Sequence, residues 1–265
     1  MIEWPPDDYT PQPTAPALGI ATRVGGRPAQ ADAAHAVTTP LGTGAVVIDG
    51  IGTDPEVCAA SRRAAEPAAL VASAQGARAG LLWAAATYLD YDGAPNAVGA
   101  VVSVTEWGIE IAHVGDCAVA TWSRAGGLRR WTADQTAAAL IRHMLTNPDL
   151  DHAGHAALHT LAEGLDVMDD YVTGTLVTAV PATIASTLLR GPDAEVDLVL
   201  LTSDGVHKQI PPSRTAELVA DYHDTPQVLA DALVDAAVTA VPDSDNATAV
   251  VLRLPPRARH ALLPR

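Results

Sequence analysis

Strand-forming runs come in blocks along this chain, and several of the helical runs between them come in pairs. β-Branched and apolar stretches at 20–24, 33–38 and 44–48 are punctuated by glycine and proline, the pattern of short strands closed by turns. Residues 55–89 are alanine-rich, with apolar positions at helical spacing, and are interrupted by Gly76 and Gly80, which predicts two consecutive helices. Strands resume at 98–105, 109–114 and 118–122, with a hairpin turn at Ala125-Gly126-Gly127 before a strand at 128–131. Helices are expected at 134–145 and 152–161, then strands at 171–180, 184–189 and 196–201. Helices at 213–222 and 225–238 precede a last strand at 247–254. A doubly wound parallel sheet needs strict alternation of strand and helix. Blocks of strands separated by helix pairs instead predict an α+β fold, antiparallel sheets with helices packed outside.

No long low-complexity linker and no repeat of solenoid length divides the 265 residues, so one domain is expected from 18 to 254. The proline- and acid-rich segment 1–17 and the tail 255–265 read as flexible extensions. Phenylalanine is absent, so Val, Leu, Ile and Ala must build the core, with five Trp and five Tyr as large anchors. A formal charge of −15 and a single lysine, Lys208, argue against nucleic acid and anionic membranes as partners. Cys58 and Cys117 are too few for a disulfide framework, and no signal peptide or bilayer-length apolar run is evident. A cytoplasmic, unanchored protein is expected.

Four short motifs place an aspartate at the rim of an apolar strand, where the chain turns at glycine or asparagine. They are VVIDG (46–50), HVGDC (113–117), LLTSDG (200–205) and DSDN (243–246), the last preceding its strand. A single Asp-Gly is an ordinary turn dipeptide. Four such carboxylates are different: if they converge, their repulsion must raise their pKa values or recruit a cation, and hard oxygen donors select Mg²⁺ or Mn²⁺.

Taken in order, these segments resemble the PPM family of metal-dependent protein phosphatases, the type 2C serine/threonine phosphatases, of bacterial type. RPAQADAAH (27–35) is similar to the family's opening segment, an arginine followed shortly by an acidic pair. VVIDGIG is similar to its Asp-Gly metal motif, and HVGDCAVATWSRAGGLRRWTADQT to its Gly-Asp-Ser hairpin and the segment after it. LLTSDGV is similar to its Ser-Asp-Gly motif, and DSDNATAVVLRL to its closing Asp-Asn strand. The resemblance implies a four-layer αββα sandwich with two Mn²⁺ or Mg²⁺ ions in a cleft at one end. It implies that Asp49 bridges both ions, that the Gly50 carbonyl binds the second, and that Asp204 and Asp245 hold the first. Arg27 matches the phosphate-binding arginine, and Asp116 the aspartate that with Asp204 holds a third ion in members that have one. The implied activity is hydrolysis of phosphoserine and phosphothreonine in protein substrates by direct attack of water, by a monomer.

The sequence departs from the family at several positions. Ala31 stands where the family has a glutamate that helps to hold the second metal, and Ile51 where some members place a histidine. Gly52-Thr53 replaces a common Gly-Gly pair, and 96–100 lacks the usual Gly-Thr strand opening. Ala31 favours the rival reading, a catalytically silent binding module that keeps the fold. Other phosphatase chemistries are excluded directly: the residue a Cys-x5-Arg motif needs is Ala64 or Ser123, Lys208 follows His207 rather than glycine, and no G-x-S-x-G occurs. His152, His155 and His159 share a helical face suited to zinc, yet read as an exposed helix. His113 and Cys117 read as packed core residues.

Overall fold

The structure is a computed structural model that describes residues 15–89, 95–162 and 169–255. Most of the two terminal extensions lies outside the described residues.

Three strands open the chain: β1 (Ala17–Arg23), β2 (Ala33–Thr39) and β3 (Gly42–Gly50). Helices α1 (Pro55–Gln75) and α2 (Ala77–Leu89) follow, then β4 (Ala97–Thr105), β5 (Gly108–Val114), β6 (Ala118–Ser123) and β7 (Gly127–Arg130). Next come α3 (Ala137–Leu145), α4 (His152–Ala162), β8 (Ala185–Leu189) and β9 (Leu198–Thr202). A four-residue helix α5 (Asp204–His207), then α6 (Pro212–Tyr222), α7 (Pro226–Ala240) and β10 (Ala247–Arg253) complete it. The strands form two five-stranded sheets in the orders β1-β10-β9-β6-β7 and β2-β3-β4-β5-β8. All neighbouring strands pair antiparallel, as the blocks of strands in the sequence require.

Period-2 alternation gives each sheet two apolar faces, and three apolar cores between four layers result. Val47, Val102, Ile111, Val119, Leu201 and Val250 meet between the sheets. Val46, Ile48 and Val101 point the other way, into α1 and α2. Leu198, Leu200, Ala249 and Val251 do the same toward α6 and α7. This is the expected order of helix, sheet, sheet, helix.

Without phenylalanine, the outer layer is closed by small residues. Buried Ala60, Ala64, Ala65, Ala68, Ala69 and Ala72 line α1, and Gly44 of β3 lies so close that an added Cβ would collide with the Ala69 carbonyl. The predicted break between the two helices falls at Gly76, where φ is +95° and the amide caps the Ala72 carbonyl at 3.1 Å.

Two sequence expectations need correction. Residues 171–180 form no strand. A 3-10 turn spans Leu176–Thr178, and only a lone bridge joins Val172 to Thr136. The amide and the hydroxyl of Thr173 both donate to the Gln135 carbonyl, at 2.7 and 3.0 Å, so this backbone satisfies itself against a loop. Helix α3 starts at Ala137 rather than at 134, because the Thr136 hydroxyl accepts from the Ala139 amide at 3.1 Å and caps it. Among the described residues no helix is long and apolar enough to cross a membrane.

The close seating of α1 on β3 predicts that Gly44→Ala destabilises the protein by about 1–3 kcal/mol, the usual cost of overpacking. Urea unfolding followed by circular dichroism measures this. An unchanged midpoint would show that the helix does not rest on the strand backbone.

Candidate metal centre

The strand ends carrying the expected site residues all lie at one end of the sandwich. In the register, Asp49 at the end of β3 faces Val98 at the start of β4, and Gly99 faces Val114 at the end of β5. Thr202 at the end of β9 faces both Ala118 at the start of β6 and Ala249 near the start of β10. The β5-β6 turn carrying Asp116 therefore crosses between the sheets beside them. Gly115 makes that turn with φ +86°. Gly205 serves by close approach: a Cβ there would collide with the Asn246 carbonyl, so the first turn of α5 lies directly on the entry to β10. The result is a cleft of about 360 Å³ walled by Arg27, Asp49, Gly50, Asp204, Lys208 and Asp245.

Inside it the carboxylates act on one another. Desolvation pushes Asp49 well above the ordinary carboxylate range, reinforced by the charges of Asp32, Asp204 and Asp116 and by a hydrogen bond shared with Asp204. Burial likewise raises Asp32 to about 7, against hydrogen bonds from Ser203 and Thr248 that favour its charged form. The Ser203 hydroxyl donates to Asp32 Oδ2 at 2.8 Å and accepts from the Thr248 amide at 3.0 Å. Asp116 is raised by desolvation and by Asp204, with Lys208 opposing. Desolvation also presses Asp204 upward, but Lys208 and the bond to Asp49 outweigh it and hold Asp204 below the ordinary range. The two carboxyl groups of Asp49 and Asp204 are thus pushed in opposite directions, Asp49 up by burial and its neighbours' charges and Asp204 down by Lys208.

The remaining expected residues, Arg27 and Asp245, line the same cleft. Arg27 Nη2 donates to Asp245 Oδ2 at 2.6 Å, with both side chains part-exposed. Next to Asp245, Asn246 fixes the loop that carries Arg27. Its Nδ2 donates to the carbonyls of Val24 at 2.8 Å and Ala29 at 3.1 Å, and its Oδ1 accepts from the Ala31 amide at 2.8 Å. Ala31 itself is buried against Val57, Cys58 and Ala29, and its Cβ points at Gly50. Ile51 is 45% exposed at the rim.

His113 and Cys117 are buried, as the sequence reading has them. His113 Nε2 bonds the Ala133 carbonyl at 2.9 Å, and desolvation lowers its pKa. Burial raises the Cys117 thiol well above its usual value, so it is not a poised thiolate. His152 and His159 are exposed on α4. Sequence reasoning passed over Lys208 and Asn246 as site residues. The signal for Lys208 was its place one helical turn after Asp204, together with its being the only lysine.

The donors suit Mg²⁺ or Mn²⁺ in kind, since they are oxygens alone and carry crowded negative charge that a divalent ion relieves. Among the described residues no three carboxylate, imidazole or thiolate groups are preset as a cation cage. Asp245 is turned to Arg27, and Asp116 to Lys208.

The raised pKa of Asp32 fixes a pH dependence. Between the ordinary carboxylate value of 3.8 and its folded value of about 7, the folded chain holds a proton that the unfolded chain releases. Its stabilisation is therefore complete at low pH and lost as the pH rises through about 7. Asp49 and Asp116 act in the same sense, while Asp204, which is lowered, acts only below the ordinary carboxylate value of 3.8. In excess chelator the thermal midpoint should fall as the pH is raised through this window, and Asp32→Asn should flatten the fall. A midpoint that rises there equally in both proteins would contradict the buried-carboxyl account.

No protein-family model matches the sequence, and no curated protein matches it. Solved structures do match. A bacterial serine phosphatase superposes with a TM-score of 0.69 at 15% identity, over 89% of this chain and 97% of its own. The PPM Ser-Thr phosphatase MsPP from Mycobacterium smegmatis, solved with cacodylate, gives 0.67 at 19% identity over 91% of this chain and 100% of its own. The serine/threonine phosphatase Stp1 from Staphylococcus aureus gives 0.68 at 17% identity over 96% of this chain and 99% of its own. The chain has the fold of the bacterial PPM serine/threonine phosphatases.

Proposed function

We propose that the domain spanning 18–254 is a metal-dependent protein phosphatase that hydrolyses phosphoserine and phosphothreonine monoesters by direct attack of water, with no covalent phosphoenzyme. One observation carries the reading. Asp49 and Asp204, from strand ends of different sheets, line one cleft together with Asp245 and Arg27.

Asp49 would contribute to the hold on both cations, the Gly50 carbonyl to that on the second, and Asp204 and Asp245 to that on the first. Bound there, Mn²⁺ or Mg²⁺ supplies Lewis acidity and a nucleophilic water at neutral pH. The chain's own part is charge placement and grip. Arg27 offers a planar fork to the non-bridging phosphate oxygens. In the structure one arm of that fork is held by Asp245 Oδ2. A cation on Asp245 would compete with Arg27 for the charge of that carboxylate and so loosen the grip on the guanidinium. Ile51 has no proton to give, and the leaving oxygen takes its proton from water in the open cleft.

A second reading, a silent binding module on the same fold, is favoured by Ala31. This residue is 1% exposed and faces Gly50, where the second cation would need a carboxylate. Hydrolysis of an aryl phosphate with Mn²⁺, with Mg²⁺ and with chelator separates the two. The enzyme reading expects turnover only with metal. It also expects Asp49→Asn to cost more than the roughly 100-fold that losing an outer-shell partner costs. Metal binding without turnover would establish the silent module, and full turnover in chelator would dismiss the metal mechanism.

Arg27→Ala should raise KM for a phosphopeptide about tenfold, the worth of a charge-assisted hydrogen bond, and lower kcat less. Steady-state kinetics decides this. Unchanged KM and kcat would remove Arg27 from the site.

A further inference from the structure

We infer that Lys208 is a built-in cation: its ammonium takes the seat between Asp116 and Asp204 that a third divalent ion would need, so this chain binds no ion there. The inference rests on the reading of Asp204 as a ligand of the metal centre and goes beyond it.

Lys208 is the only lysine in the chain. It caps the C-terminal end of α5, and its amide bonds the Asp204 carbonyl at 2.9 Å, which brings its side chain back over the aspartate one turn earlier. Its Nζ lies 2.7 Å from Asp116 Oδ2 and 3.2 Å from Asp204 Oδ2. A third acceptor is the Asp169 carbonyl at 3.2 Å, with Asp170 Oδ1 further off at 4.0 Å. An ammonium has three donors, and three acceptors at hydrogen-bond distance use them all.

The seat is built from parts far apart in sequence. Asp116 comes from the β5-β6 turn, and its side chain is only 4% exposed. Asp204 opens α5, and Asp169 is itself gripped by both Nη atoms of Arg142 on α3, at 2.9 and 2.8 Å. A divalent ion bound to Asp116 and Asp204 would claim the same carboxylate oxygens as Nζ and would suffer like-charge repulsion from it. It would also have to displace a tethered group, present at high effective concentration, by a free solute. The single charge of the ammonium leaves Asp204 a net acceptor toward the cleft, so the first cation site is kept while the neighbouring seat is closed. Because the same ammonium bonds the Asp169 carbonyl, the backbone just before Tyr171 is held to the centre whatever the supply of metal.

The experiment is a count of bound Mn²⁺ by titration calorimetry and by metal analysis after gel filtration. It compares the wild type, Asp116→Asn, Lys208→Met and the double variant, with circular dichroism to confirm folding. The expected result is the same count for wild type and Asp116→Asn, one additional ion in Lys208→Met, and loss of that ion in the double variant. The inference is overturned if Asp116→Asn loses an ion relative to wild type, or if folded Lys208→Met gains none. Should Lys208→Met not fold, Lys208→Gln replaces it, and the comparison of wild type with Asp116→Asn decides on its own. The metal-centre reading fails by a different sign, a wild-type Mn²⁺ count unaffected by Asp49→Asn.

Discussion

Everything at the functional end of this molecule follows from the withdrawal of several like charges from water into one place. Asp32 and Asp116 are buried, Asp49 and Asp204 are part-buried beside them, and each raises the electrostatic cost of the others. Such a cluster persists only if each carboxylate is neutralised, hydrogen-bonded or paired. The chain uses all three. Burial and neighbouring charge raise Asp49 toward its neutral form, Ser203 and Thr248 donate to Asp32, and Lys208 joins Asp116 to Asp204. What remains is an excess of negative charge facing the cleft. That excess suits divalent cations in kind, and on the proposed function a bound cation is what would let an acidic protein accept a phosphate monoester.

Holding repelling groups together needs a stiff scaffold, and the scaffold here is made stiff by small residues. Alanine along α1 and glycine at position 44 let helix and sheet approach backbone to backbone. Gly205 lets α5 lie on the entry to β10, and Asn246 ties the Arg27 loop to the same strand by three hydrogen bonds. The short motifs around Asp204 and Asp245 are thus two halves of one packed joint. Their glycine and asparagine are as necessary to the geometry as the aspartates are to the chemistry.

The architecture was legible because it rests on local signals. Period-2 runs, the break at Gly76 and the aspartates at strand ends each state their own structure within ten residues. What was not legible depends on contacts between distant parts. The alternation in 171–180 imitates a strand, but only a partner can make it one, and Gln135 takes its hydrogen bonds instead. Helix α5 is too short to show a period. Lys208 reaches an aspartate 92 residues earlier, and no spacing rule links the two. Asn246 could be read as a turn residue, but its bonds to Val24, Ala29 and Ala31 exist only once β1 lies on β10.

The central claim is that the charge excess at Asp49 and Asp204 is completed by divalent ions while the seat beside it is closed by Lys208. Crystals soaked in Mn²⁺ and measured at the manganese absorption edge test it by position. The account predicts anomalous density at Asp49, shared with Asp204, and none between Asp116 and Asp204. A peak between Asp116 and Asp204 with Lys208 swung away, or no peak at Asp49, would contradict it.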